Sequence, residues 1–181
     1  MSINLQPQLE NEHTKLRPLQ EQDFDALYPI ASDPKIWEQH PEKDRWRKDI
    51  FQTFFDRAMK SGGAFVILDK HTGNVIGSSR FYEYDEQKNS ICIGFTFYAV
   101  AYWGTGINPA VKELMLDYAF SFVSTVYFHV GANNLRSQTA VERLGAVKVA
   151  EQEAPDFKEA PKINFLYEIT RESWQKRKAS V

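Results

Sequence analysis

The chain has 181 residues, 43% of them apolar, which suffices for one hydrophobic core and is short for two ordinary domains. Its 22 basic and 24 acidic residues leave a net charge of −2, so no excess of positive charge points to nucleic acid or a membrane surface as a partner. The lone Cys92 excludes an intrachain disulfide, four scattered histidines (13, 40, 71 and 129) give no metal-ligand spacing, and no apolar run approaches the ~20 residues of a membrane span.

In chain order, the N-terminus MSINLQPQLE has neither the basic region nor the apolar core of a secretory signal, so a cytoplasmic protein is expected. A strand near 13–18 leads to a helix near 23–31, which Asp33-Pro34 breaks. Trp46, Ile50, Phe54 and Ala58, spaced by four, predict one helix over 44–60, ended by Gly62-Gly63. Residues 64–69 and 74–84 read as hairpin strands around His71-Thr72-Gly73-Asn74. Residues 90–98 are apolar on both faces and read as a central strand. Two strand–turn–helix units follow, then strands at 147–151 and 162–170, separated by a loop between Pro155 and Pro161. A single domain over 1–181 is expected, with loose ends at 1–11 and 175–181, the latter part of a solvated basic tail.

The stretch from Tyr98 onward is the most informative. Gly104 and Gly106 bracket Thr105, and Asn108-Pro109 reads as an N-cap followed by a first helical residue. Val111, Leu114, Met115, Tyr118, Ala119 and Phe122 then share one helical face. A glycine turn feeding a helix N-terminus aims backbone N–H groups at one point, which suits a phosphate. The glycine pair alone is equally a plain connection: the third glycine of a dinucleotide fingerprint and the Lys-Ser/Thr of a Walker loop are both missing. The second unit runs from a strand at 126–130 into a helix that Asn134 or Ser137 caps, with Ala140, Val141 and Leu144 on one face and Gly145 as its stop. Two parallel strands each followed by a helix leave a cleft at their C-terminal ends.

Tyr102, Trp103, Gly104 and Gly106, then Asn134, Ser137, Ala140 and Leu144-Gly145-Ala146, resemble the GNAT acyl-CoA N-acyltransferases, and among them the RimJ/RimL-type branch. Leu16-Arg17-Pro18-Leu19 with Asp23 and Leu27, and Val75-Ile76-Gly77, fit the same pattern, so the resemblance runs over about 12–174. It implies an α+β fold with a mixed, mostly antiparallel sheet whose splayed parallel strand pair forms an acyl-CoA cleft. It implies acetyl-CoA as cosubstrate, with no metal, and direct attack by a primary amine, either a protein N-terminus or a small molecule. In that likeness the turn of Trp103, Gly104, Thr105, Gly106, Ile107 and Asn108 holds the pyrophosphate. Phe97 and Tyr98 pair their backbone with the pantetheine, Asn134 hydrogen-bonds its arm, and Ser137 faces the sulfur.

The chain departs from the family where many members keep their acid and base: Val141 stands in place of a Tyr and Cys92 in place of a Glu. Glu83 and His129 are the remaining candidates for proton transfer, each weighed against an ordinary solvated role. Trp37 and Trp46 could stack on an acceptor or fill a core. The acidic stretch 152–161 would suit a cationic amine or be plain solvated loop. Two other readings are an acyl-CoA-binding protein that transfers nothing and a nucleotide-binding module, the latter opposed by the helices and hairpin that precede the first strand–turn–helix unit. Oligomeric state is open, monomer or dimer.

Overall fold

The computed structural model describes residues 3–154 and 162–180. One eight-stranded sheet runs through the chain: β1 (Leu9–Glu10), β2 (Thr14–Pro18), β3 (Ala64–Asp69), β4 (Val75–Asp85), β5 (Ser90–Tyr98), β6 (Thr125–Gly131), β7 (Val147–Ala154) and β8 (Lys162–Thr170). Their order is β1-β2-β3-β4-β5-β6-β8-β7, and among these described strands only β5 and β6 pair in parallel. This is the expected mixed, mostly antiparallel sheet.

Among the described residues five α-helices cover it: α1 (Phe24–Ala31), α2 (Lys48–Ser61), α3 (Ile107–Ala119), α4 (Leu135–Arg143) and α5 (Arg171–Ala179). Residues of α1 and α2 close one core around Val66 and Phe97, while α3, α4 and α5 contribute to a second around Ile67, Ile91, Ile93 and Phe128. Alternation along β3 explains the division: Phe65 and Ile67 enter one core and Ala64 and Val66 the other.

The helix expected over 44–60 is two elements. Lys43–Trp46 form a 3₁₀ turn, Arg47 is extended at φ −75 and ψ 137, and α2 starts after it. The buried stripe is Phe51, Phe54, Phe55 and Ala58, a three-and-four spacing, so the run by fours picked the half-buried Ile50 and the exposed Trp46 instead. Gly62 ends α2 at φ 65, a left-handed turn that favours glycine.

Both ends differ from expectation. At the N-terminus β1 pairs with β2, and Leu5 and Leu9 pack on the core. At the C-terminus the basic tail is α5: Thr170 and Ser173 cap its start reciprocally, Trp174 is buried, and the Trp174 indole donates to Asp117 Oδ1 at 2.7 Å. The 3₁₀ turn Pro34–Ile36, capped by Asp33, follows α1, and the chain then reaches the end of β6, where Pro41 lies against Gly131.

Candidate active site

The parallel ladder between β5 and β6 is short. It holds Ser90↔Thr125, Ile91↔Val126 and Cys92↔Tyr127, while β5 continues to Tyr98 and β6 to Gly131. Beyond Cys92 the two strands diverge, and their C-terminal ends bound a cleft. A bulge in β5 shapes its wall. Opposite β4, Ser78 pairs with Phe97 and Arg80 with Gly94, so β5 carries one residue more than β4 between those pairs, and Phe95 has φ 53. The extra residue reverses the alternation. Ile91 and Ile93 face the α3 core, but Phe97 turns to the α1–α2 core and Tyr98 to the α3 core.

One end of the cleft is the glycine turn. Gly104 (φ 72) and Gly106 (φ 85) are both left-handed, and a Cβ on either would meet open space. The helix starts two residues earlier than the sequence suggests: Gly106 occupies the N-cap position and α3 begins at Ile107. Asn108 is therefore inside the first turn, where its Oδ1 accepts from the Tyr98 hydroxyl at 3.0 Å, and Pro109 is the third helical residue. The N–H groups of Ile107 and Asn108 have no acceptor within the helix and point out of its start. Trp103 donates its indole N–H to Tyr98 O at 3.3 Å and so fixes the turn against the end of β5. Open space over left-handed glycines at a helix N-terminus fits a pyrophosphate.

The other wall is α4. Asn134 caps it, with Oδ1 accepting from the Ser137 N–H at 3.2 Å. The cap is thus Asn134, and the half-buried Ser137 hydroxyl is left out of it. Gly145, at φ 93, follows the helix as expected. Arg136 ties the two walls together. Its guanidinium carbon lies 3.8 Å from the Trp103 ring centroid, and it pairs with Glu38 at 2.8 Å.

On the α1–α2 face of the sheet, beside the divergence, the fold gathers residues that are far apart in sequence. His129 Nε2 lies 3.5 Å from Glu83 Oε2, and the Cys92 thiol donates to that same oxygen at 3.5 Å. Glu83 reaches this position from a left-handed backbone at φ 50, an irregularity in β4. The two proton-transfer candidates of the sequence are neighbours, and Glu83 also touches Cys92, which stands in place of the family's base. Three groups that could ligate a metal lie within 4.8 Å of one another here, which the spacing in sequence did not reveal. Burial first, then the Glu83 charge, pushes the Cys92 thiol up to about 12. It keeps its proton at neutral pH, and a metal would have to displace that proton. Tyr82, half-buried beside the cluster, is also shifted upward by burial and by the Cys92 and Glu83 charges. Its phenol remains a donor. Pattern reading missed Tyr82, because a tyrosine in an alternating strand looks like packing.

Lys112 was also missed. It lies on α3 but is 4% exposed, and its Nζ donates to Thr96 Oγ1 at 2.6 Å and Ser79 Oγ at 3.2 Å behind the bulge. No carboxylate joins it among the described residues, and burial draws its pKa down to about 7. Its position among Val111 and Met115 in the buried stripe was the available sign.

Trp37 is not a stacking surface. It is 2% exposed, packs on Phe54 and Phe97, and gives its indole N–H to Ala31 O at 2.7 Å. Trp46 is exposed. Of the acidic stretch 152–161, residues 152–154 extend β7 and the rest lie outside the described residues.

A family model described as an acetyltransferase (GNAT) domain matches residues 13–147. No curated protein matches the chain. Among solved structures, a GCN5-related N-acetyltransferase from Brucella melitensis is 20% identical with a TM-score of 0.83, covering 97% of this chain and 83% of that one. RimJ of Mycobacterium smegmatis in complex with CoA-disulfide is 19% identical with a TM-score of 0.73, covering 97% and 93%. Spermidine N-acetyltransferase of Vibrio cholerae, in complex with CoA and spermine, is 19% identical with a TM-score of 0.71, covering 91% and 99%. At these identities the likeness is one of fold. No helix among the described residues is long and apolar enough to cross a membrane.

Proposed function

Because this chain belongs to the GNAT acetyltransferase family, we propose that it transfers an acetyl group from acetyl-CoA to a primary amine by direct attack, as a RimJ/RimL-like member. The observation that carries the reading is the three-pair β5–β6 ladder, which opens between the Gly104–Asn108 turn and the capped start of α4. When bound, acetyl-CoA supplies a thioester whose carbonyl an amine attacks with loss of the thiol. The residues of the turn would hold its pyrophosphate, and Asn134 with the β5 segment at Phe97 and Tyr98 would align the pantetheine.

The chain's own contribution is placement and proton traffic. The Glu83–His129 pair is the proton acceptor for an incoming ammonium, in place of the absent family base. An α-amino group of pKa about 8 is partly neutral near pH 7 and asks little of that pair, whereas a lysine at about 10.4 asks much more. The Ser137 hydroxyl, free of capping duty, donates toward the leaving sulfur in place of the Tyr that Val141 replaces. Val141 is buried in the core and takes no part.

Release of free thiol from acetyl-CoA, followed across primary amines of different pKa, tests the reading. Amine-dependent release is expected. Tight CoA binding with no release from any amine would leave a non-transferring acyl-CoA-binding protein, the reading that the missing Tyr and Glu favour.

A further inference from the structure

Arg80 lies on β4 two residues before Tyr82, on the α1–α2 face that carries the Glu83–Cys92–His129 cluster. It is 6% exposed, yet its guanidinium finds no hydrogen-bond acceptor among the described residues and its Nε is sealed from water. Its partners are aromatic: the guanidinium carbon lies 4.1 Å from the Phe95 ring centroid and 5.5 Å from that of Phe54. Arg45, 7% exposed, stacks on Phe54 from 4.6 Å, and its Nε is also buried and unpaired. Among the described residues one carboxylate serves the pair, that of Glu42 beside Arg45, and its side chain is 54% exposed.

Two buried cations against one solvated anion is a poor arrangement for stability alone. Stacking on phenyl rings offsets only part of what a guanidinium loses with its water, and an apolar side chain would fill the same space at less cost. Burial, reinforced by the Arg45 charge, lowers the Arg80 pKa to about 10, so Arg80 stays cationic at neutral pH. Its position is specific. Arg80 pairs with Gly94 at the bulge and Tyr82 pairs with Cys92, so the backbone of Arg80 lies two strand residues, about 7 Å along β4, from the Tyr82–Cys92 pair beside the cluster.

We propose that the acceptor amine carries a carboxylate, which binds the Arg80 guanidinium with Arg45 alongside while the amine faces Glu83 and His129. This rests on the acetyl-transfer reading above. The substrate class is then an amino acid or short peptide with a free carboxylate, not a polycation. A phosphate of CoA is the other anion within the reaction. The Gly104–Asn108 turn already provides for the pyrophosphate, and Arg80 faces the α1–α2 side instead.

Matched acceptors decide it in the thiol-release assay with the full chain: L-phenylalanine against phenethylamine, and glycylglycine against glycylglycinamide. A charge-assisted pair predicts that the carboxylate member is favoured about 10- to 100-fold in kcat/KM. In Arg80→Met that ratio collapses, chiefly through a raised KM, and Arg80→Lys restores part of it. Arg45→Met gives the same comparison if Arg80→Met does not fold. Equal use of both members by the parent protein would overturn the proposal and leave acetyl transfer standing. Weaker CoA binding in Arg80→Met with an unchanged acceptor ratio would also overturn it, by assigning the anion to CoA. Absence of thiol release from every amine would count against the transfer reading. Binding of N-acetyl-L-phenylalanine against its amide to the CoA-loaded protein then settles the subsite, with equal binding overturning it.

Discussion

Ser137 and Lys112 show how a single side chain changes meaning once its neighbours are known. The α4 cap uses the Ser137 backbone N–H and the Asn134 side chain, so Ser137→Ala removes a hydroxyl without removing the cap. Stability should stay within about 0.5 kcal/mol of the parent. If the hydroxyl assists the leaving thiolate, kcat should fall by ~10²–10⁴-fold, the usual range for positioned proton transfer. Measuring melting and turnover on one variant separates the roles, and an unchanged kcat removes Ser137 from the chemistry. For Lys112 the folded pKa of about 7 lies below its ordinary value, so between pH 7 and the unfolded value near 10.4 the unfolded chain binds more protons. Stability contributed by this site therefore rises with pH through that window, by up to about tenfold in the folding equilibrium per pH unit. Lys112→Met should be more stable than the parent at pH 7 and should lose that rise between pH 7.5 and 9.5. Parallel denaturation profiles for parent and variant would rule out a depressed pKa.

At the scale of elements, the α3 turn and α5 carry opposite lessons. Gly106 combines φ 85 with open space where a side chain would stand. Gly106→Asn accepts the left-handed backbone at little cost but fills that space. CoA affinity should drop about tenfold or more while melting changes little, because even one lost charge-assisted N–H contact is worth that much. Gly106→Val should lose both, since a β-branched residue is strained at that φ. Retained affinity in Gly106→Asn would move the phosphate site elsewhere. The last helix is held by Trp174, which is buried and hydrogen-bonded to Asp117. Trp174→Ala should cost about 3–5 kcal/mol by chemical denaturation, the range for truncating a large buried aromatic residue. A loss below about 1 kcal/mol would mean that α5 is a solvated tail after all.

For the molecule as a whole, binding and folding are linked. Acetyl-CoA or CoA at 100 times its dissociation constant should add about 2.7 kcal/mol of stability, with NAD and ATP giving far less. Stabilisation by NAD equal to that by CoA would sink the acyl-CoA assignment. The cleft lies between elements of both cores, with β5 and β6 as walls, α3 and α4 at the mouth and the α1–α2 face beside it. Ligand that bridges these parts stabilises them as one unit.

Local signals made much of this fold legible in the sequence. Glycine turns, the Asn134 cap, the hairpin turn after 64–69 and the apolar run of 90–98 place most of the elements, and the order of Tyr102 to Gly106, Asn134, Ser137 and Leu144 to Ala146 carries the family resemblance. These features depend on neighbours a few residues away, so the chain states them directly. The sequence did not state the bulge at Phe95, which is a mismatch in length between β4 and β5 and exists only once they pair. Nor did it state the contact of Glu83, Cys92 and His129, the burial of Lys112, or the aromatic enclosure of Arg80. Each of those depends on which face of the sheet a residue takes and what lies across from it. In a strand one inserted residue exchanges the faces of everything after it. The sequence determined the kind of cleft, and only the tertiary packing decided which charged groups it sets beside one another.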